Sequence, residues 1–499
     1  MALQTRYRTA ITVGLILLFV VLRFLNFTQS CLWFDEIFSI HAAEHSWTEI
    51  FRFVALDLIH PPLFYLLLKG WISIGGEGLA WVRSLPVVFA VLSILPFWWL
   101  CRQLKLEFWA RCVAIFLFAV NGAVIKYSQE VRMYSLVMCL GLYSIALFAN
   151  YFINGKNFLP LVLVNVLLTY THYFGWLIII TEVAAIIYFQ RIKWRRSLLM
   201  LGICVAAFVP WILAIARAVT SGALAQNVGW IEKPNVKSLV DLAFALVEPF
   251  YARMSSIDPW SQYEISVPLL IVAALAIALF SARPKSEIDV RSIQLLSIFI
   301  LLPVALVLVI SWATPYSIWG TRHLIFLFPL FAILLGLAVM RAEEKWLRTI
   351  CVSLIVLFSV WSFVRQARRE VPHFSWCAWQ PMEDQALGGS KIPIYTSEDL
   401  VAYHSWFAER NTAVGVNKLT GITGVVEDPA YFLPRGFGEI SPKDIADVND
   451  PVLLLAYRAP GFSESEAPLR NFLVKGYRIK DKNVYQAEGE VAITVLLEK

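Results

Sequence analysis

Two adjacent carboxylates, Asp35 and Glu36, lie in the run WFDEIFSIHAAE, and His60 opens HPPLFYLLLKGW further along. A second polar run, KYSQEVRMYSL, holds Lys126, Tyr127, Gln129, Glu130, Arg132 and Tyr134. A third, TPYSIWGTRHLIFLFP, holds Tyr316, Thr321, Arg322 and His323. Each adjoins long apolar sequence. Ionisable groups at a lipid boundary are costly unless paired or wetted, so they mark functional sites by default. A carboxylate within hydrogen-bond reach of a hydroxyl can take its proton as a bond forms. A planar guanidinium grips phosphate oxygens two at a time. Carboxylates and cations on one surface therefore suit a site that activates a hydroxyl and holds a phosphate.

Every one of these residues also has a plain structural reading. Asp35 fits the N-cap of a helix through IFSIHAAE, and Glu36 fits a first-turn residue facing the helix dipole. His60 before two prolines fits a polar helix start. Lys126, Arg132 and Arg322 fit side chains snorkelling to the interface. Trp33, Trp47, Trp71 and Trp81 fit an interfacial aromatic belt. The constellation carries more than any member.

The elements that must position these groups follow from composition. The chain has 499 residues, of which 59% are hydrophobic, and a mean hydropathy of +0.66. A soluble domain does not have that composition, and apolar runs of about 17–25 residues, the length that crosses a bilayer as helix, recur along it. The class is a polytopic α-helical membrane protein. Candidate spans fall at 10–27, 82–101, 109–125, 134–153, 159–172, 175–190, 198–217, 266–281, 293–312, 323–340 and 349–365, about eleven in all. The net charge of +6 is small and clustered between spans, which fits topology control and not nucleic-acid binding.

The stretch 61–76 is apolar but short and contains Lys69. If it does not cross, then Arg6 and Arg8 and the clusters Arg102/Lys105/Arg111, Arg191/Lys193/Arg195/Arg196, Arg283/Lys285/Arg291 and Arg341/Lys345/Arg348 all face the cytoplasm, as the positive-inside rule favours. It is therefore expected to lie at the interface as a juxtamembrane helix. The outer side then receives 28–81, 126–133, 218–265 and 313–322. The N-terminus is expected in the cytoplasm, with a retained first span. The chain divides into a membrane domain, 1–369, and an extracytoplasmic tail, 370–499, whose strand-like runs KIPIYT and PVLLLAY flank a helical EDLVAYHSWFAERN. That tail reads as a small α/β domain. Seven cysteines show no metal-ligand spacing and mostly sit in apolar segments, so they read as packing. Cys31 and Cys377 both fall outside and could pair, though spacing alone does not favour it.

An acidic pair just after the first span, followed by an xPPL element, resembles the GT-C superfamily of membrane glycosyltransferases. WFDE, HPPLFYLLLKGW, VRSLPVVFAV, YSQEVRMYSL and TRHLIFLFP, in that order, are similar to the branch holding the protein O-mannosyltransferases and the lipid A aminoarabinose transferases. NVGWIEKPNVKSLVDL in the third outer segment is a further echo. The likeness covers roughly 10–340. It implies transfer of a sugar from a polyprenyl-phosphate donor to an acceptor (lipid, glycan or protein) on the outer side of the plasma membrane. Asp35 matches the family's catalytic base. Ile59-His60 before Pro-Pro departs from the Glu-Lys of the aminoarabinose transferases and leans slightly toward a hexose donor.

On that reading Arg132 and Arg322 are the candidates to hold the departing lipid phosphate, with Lys126 and His60 secondary. Glu36, Tyr127, Glu130 and Tyr134 support the site or the acceptor. One base and direct displacement give inversion at the anomeric carbon. No metal ligand is assigned: adjacent side chains on a helix do not readily chelate one ion, and a divalent cation bridging Asp35 to the phosphate stays open as a cofactor. Two other classes are kept beside the enzyme. A transporter or flippase for a lipid-linked sugar would place ionisable groups in mid-membrane and repeat one half in the other; Glu182 is the main mid-span charge, and it also reads as a hydrogen-bonded core residue. A non-catalytic envelope scaffold would use the tail as its binding module.

Overall fold

The computed structural model describes residues 2–189, 194–218, 229, 231–250, 260–282, 286–368, 374–424, 433–434, 437–487 and 490–499. Arg191, Lys193, Arg283 and Lys285 of the basic clusters lie outside the described residues, as do Asn227, Val228 and Trp230 of the NVGW run and much else of segment 218–265.

Each of the expected spans coincides with an apolar helix. Six helices are long and apolar enough to cross a membrane by length and composition: Gln4–Arg23, Leu79–Gln103, Tyr134–Asn154, Trp194–Arg217, Glu287–Ala313 and Lys345–Arg368. Phe108–Val120, Phe158–Thr171, Gly175–Tyr188, Ser266–Ser281 and Leu327–Arg341 are shorter, and so is Leu63–Gly75, the stretch expected at the interface. The buried core runs through the bundle, where Phe328, Leu330, Ile333 and Leu335 of helix Leu327–Arg341 are almost fully enclosed. Gly336 permits close approach of that helix to its neighbour: a Cβ there would stand 2.7 Å from the Ala110 carbonyl.

Between the first two long helices lie α2 (Phe34–Glu44), α3 (Glu49–Asp57) and α4 (Leu63–Gly75). Leu58 ends α3 in the left-handed region, φ 63°, at a cost of about 1–2 kcal/mol for a residue with a Cβ. Pro62 then caps α4, as a missing N–H and a fixed φ favour at a first turn. Trp71 and Trp81, expected in an aromatic belt, stack on each other at 4.7 Å. Each indole N–H donates to the other's carbonyl, at 2.9 and 2.8 Å. They close the turn from α4 to α5 (Leu79–Leu92), and Gly75 makes room, since a Cβ there would meet the Trp81 ring at 2.1 Å.

The tail folds as expected in kind. Its six-stranded sheet has the order β3-β2-β1-β4-β6-β5, with β1 Ile394–Thr396, β2 Val416–Thr420, β3 Ser441–Asp444, β4 Val452–Ala459, β5 Arg478–Gln486 and β6 Val491–Glu498. The first four pair in parallel, and β6 runs antiparallel to β4 and β5. The helix read from EDLVAYHSWFAERN is Asp399–Glu409. It docks on the segment 28–81: Tyr403 Oη lies 2.9 Å from His41 Nδ1, and Arg410 pairs with Glu44 at 2.9 Å and Glu77 at 2.7 Å. Cys31 and Cys377 form a disulfide across a sequence separation of 346. This is the pairing that spacing left open without favouring; it depends on the tail folding back, which no local spacing encodes.

Candidate functional site

Asp35 and Glu36 sit in the first turn of α2, whose N-cap is Trp33 and not Asp35. Consecutive helical residues point about 100° apart, and the two carboxylates accordingly serve different surroundings. Glu36 is 1% exposed. It accepts from Arg83 Nε at 3.0 Å and Nη2 at 2.8 Å, and from the Val131 N–H at 3.0 Å. Arg83, also buried, donates onward to the carbonyls of Phe27, Ser30 and Cys31 at 2.8–2.9 Å. Glu36 therefore ties α2 to α5 and to the 128–133 loop, and through Arg83 to the segment Phe27–Cys31 that follows the first long helix. It supports the site from behind.

Asp35 turns the other way. Its Oδ2 lies 3.4 Å from Arg322 Nη1 and 3.9 Å from Arg132 Nε. Arg132 is nearly buried and is held by the Asp35 carbonyl at 3.2 Å, Ser39 Oγ at 3.3 Å, Tyr65 Oη at 3.4 Å and His60 Nδ1 at 3.3 Å. Arg322 is more open and lies over the rings of Trp33 and Tyr134, each 5.8 Å away. Burial, with Arg132 beside it, holds His60 well below the usual imidazole range, so it is neutral.

Lys126 and Glu130 pair with each other at 3.8 Å. Burial raises the Glu130 carboxyl, with Lys126 opposing. Tyr127 stacks edge-on against Tyr134 at 5.4 Å, and Tyr134 leaves a buried hydroxyl without a hydrogen-bond partner. All nine expected site residues thus fall in one region, with Asp35 against both Arg132 and Arg322, His60 against Arg132, and Glu36 turned away toward Arg83. Arg83 and His172 belong to the region too and were not singled out from sequence. Arg83 lies inside the run 82–101, read as a membrane span, and His172 is the last residue of the run 159–172, read as another.

One carboxylate faces two guanidiniums, so the pocket holds an excess of positive charge in partly buried surroundings. Such a site binds an anion and leaves a carboxylate oxygen beside it. Deep in the bundle, Glu182 accepts from Ser144 Oγ and Asn165 Nδ2, both at 2.7 Å. That satisfied carboxyl matches the core reading of Glu182.

No family model matches the sequence, and no curated protein matches it. Solved structures do. ArnT from Cupriavidus metallidurans bound to undecaprenyl phosphate superposes with a TM-score of 0.60 at 11% identity, covering 97% of this chain and 98% of that one. The apo state of the same protein gives the same values, 0.60, 11%, 97% and 98%. The archaeal oligosaccharyltransferase AglB from Archaeoglobus fulgidus, solved with an inhibitory peptide and a dolichol-phosphate, has a TM-score of 0.48 at 13% identity over 81% of this chain. The present chain spans only 64% of that protein's length. The likeness over nearly the whole of both chains establishes the fold, which is that of ArnT.

Proposed function

We propose that this protein is an inverting glycosyltransferase that moves a sugar from a polyprenyl-phosphate donor to an acceptor on the extracytoplasmic side of the membrane. The observation that carries the reading is the Asp35 carboxylate held between Arg322 at 3.4 Å and Arg132 at 3.9 Å. The fold supports it, because a structure of ArnT was solved with undecaprenyl phosphate bound.

Each group has a task in this scheme. Arg132 and Arg322 hold the phosphate of the donor. The leaving group is a phosphate monoester with a second pKa of about 6, so it departs as an anion and needs cations more than an acid. Both arginines address Asp35 Oδ2, and Oδ1 is the oxygen that takes the acceptor's proton as it attacks the anomeric carbon. The negative carboxylate also offsets the oxocarbenium character that develops there. Attack and departure on opposite faces invert the centre. Glu36 and Arg83 fix the helix turn that presents Asp35.

The Cys31–Cys377 disulfide supports an extracytoplasmic site, since such bonds persist in oxidising compartments. It joins the loop bearing Asp35 to the tail, so both stand on that side, with the N-terminus in the cytoplasm. The tail then covers the site as a separate domain from about residue 370 and helps select the acceptor.

The test is a panel of polyprenyl-phosphate sugars incubated with the purified protein and a mixture of envelope lipids, glycans and proteins. Release of free polyprenyl phosphate with one donor class, together with label transferred to an acceptor, is the expected result. No release with any donor by well-folded protein ends the reading.

A further inference from the structure

Three histidines from separate segments meet beneath the arginines: His60 ahead of α4, His172 at the end of helix Phe158–Thr171, and His323 beside Arg322. Ring nitrogens of all three lie within 4.8 Å of one another. The His172 ring centroid is 5.1 Å from that of His60 and 5.1 Å from that of His323. His60 and His172 are each 3% exposed.

Such a group invites a metal, but the hydrogen bonds direct it elsewhere. A neutral imidazole has one lone pair and one N–H. His60 Nδ1 faces Arg132 Nη2 at 3.3 Å, and a guanidinium only donates, so the lone pair is committed there and Nε2 carries the hydrogen. His172 Nδ1 accepts the Phe174 backbone N–H at 3.0 Å, so its Nε2 carries the hydrogen too. Two of the three histidines therefore offer donors and no free lone pair. The positive charges of Arg132 and Arg322 both bear on His172, which disfavours a dication and favours an anion. Finally, His172 Nε2 is buried and meets no hydrogen-bond partner. A buried donor without an acceptor calls for one from outside the chain.

We infer that His172 donates its Nε2–H to a phosphate oxygen of the lipid donor, with the His60 Nε2–H beside it, so that neutral imidazoles and guanidiniums form one phosphate cradle. The inference rests on the functional reading above. It divides the work of binding: the arginines supply charge, and the histidines supply direction without adding charge that would oppose the arginines. His172 acts on the donor headgroup and not on the acceptor.

The experiment measures equilibrium binding of a polyprenyl phosphate, and of the matching polyprenol as the phosphate-free control, to detergent-purified full-length protein. Asn replaces His172 in one variant, where its short amide keeps the acceptor for the Phe174 N–H and removes the distal donor. Gln replaces it in the other and restores an N–H near the Nε2 position. His172→Asn is expected to bind the phosphate lipid about 10- to 100-fold more weakly, as loss of a hydrogen bond to a charged group requires. His172→Gln recovers most of the affinity, polyprenol binding stays unchanged, and thermal unfolding of both variants matches wild type. Equal phosphate-lipid affinity in wild type and His172→Asn overturns the inference and leaves the functional reading standing. Tight stoichiometric Zn²⁺ binding by wild type, with phosphate-lipid binding abolished by chelator, overturns it in favour of a metal centre. Absence of phosphate-lipid binding by the wild type removes the functional reading and this inference together.

Discussion

Arg322 Nη1 stands 3.4 Å from Asp35 Oδ2 across 287 residues of chain. The contact joins the short helix Thr321–Leu324 to the first turn of α2, and it makes the proposed base and the proposed phosphate ligand one unit. Asp35→Asn keeps the shape and removes the basic oxygen. Transfer should fall by about 10²–10⁴-fold, the usual range for a lost general base, while phosphate-lipid binding persists. Donor turnover and donor affinity measured on the same preparation separate the two. Undiminished turnover would remove Asp35 from the chemistry.

The two arginines differ in setting, and their variants should differ in kind. Arg322 has 26% side-chain exposure against 5% for Arg132. Arg322→Gln should weaken donor binding with little change in unfolding temperature. Arg132→Gln should do both, because it also strips partners from Ser39, Tyr65 and His60. A calorimetric scan beside a donor titration makes the distinction.

Glu36 and Arg83 form a buried pair, and breaking one side of such a pair costs about 3–5 kcal/mol through the charge left behind. Arg83→Met alone should lower the unfolding temperature markedly. Arg83→Met combined with Glu36→Gln should recover part of that loss, because the orphaned carboxylate is gone. Activity should track α2 placement and not charge: the double variant stays impaired even where it is stable, since the carbonyls of Phe27, Ser30 and Cys31 have lost their donor.

Charged and aromatic residues at the ends of apolar runs were readable as site candidates because lipid penalises them there. Asp35, Arg132 and Arg322 emerged that way, and the motif order brought the architecture with it. What the chain order could not convey is which partner each group finds. Glu36 reads as support beside Asp35, but the chain order does not name Arg83 as its partner. Arg83 itself was hidden inside an apolar run, and His172 at the end of another. Trp71 and Trp81 looked like lipid anchors because an indole that binds a carbonyl and one that lies at an interface have the same local sequence. The Cys31–Cys377 bond depends on a tail that folds back over 346 residues, a contact with no periodicity to announce it.

That bond gives a direct test of sidedness. In intact cells, mild reduction should make Cys31 and Cys377 react with a membrane-impermeant maleimide, with no labelling before reduction. Loss of the crosslink should cost about 2–4 kcal/mol, in the usual range for a disulfide. The docking contacts of Tyr403 and Arg410 remain, so limited proteolysis should show a loosened tail and not a detached one. Labelling only after the membrane is permeabilised would invert the proposed orientation.

The tail also carries a pH dependence of its own. Glu383, in helix Trp379–Leu387, is fully buried. One oxygen accepts from Ser405 Oγ, and the other has no partner. Burial is the main cause that pushes its carboxyl up to about 8, against the opposing Ser405 bond, so at neutral pH it is protonated in the fold. The unfolded chain binds that proton with an ordinary carboxyl pKa of about 4.3. The folded state therefore holds the extra proton between those two values. The contribution is full at acidic pH and declines as pH rises, by about 1.4 kcal/mol per unit, until the folded pKa is passed. Between pH 6 and 8 the wild-type tail should lose stability, read as denaturant midpoint from the tail's tryptophan fluorescence. Glu383→Gln keeps the shape and the neutral state, so its midpoint should stay level over the same interval and exceed wild type at pH 8. Parallel curves for the two proteins would mean that Glu383 is ionised in the fold and that water or a partner group reaches its second oxygen.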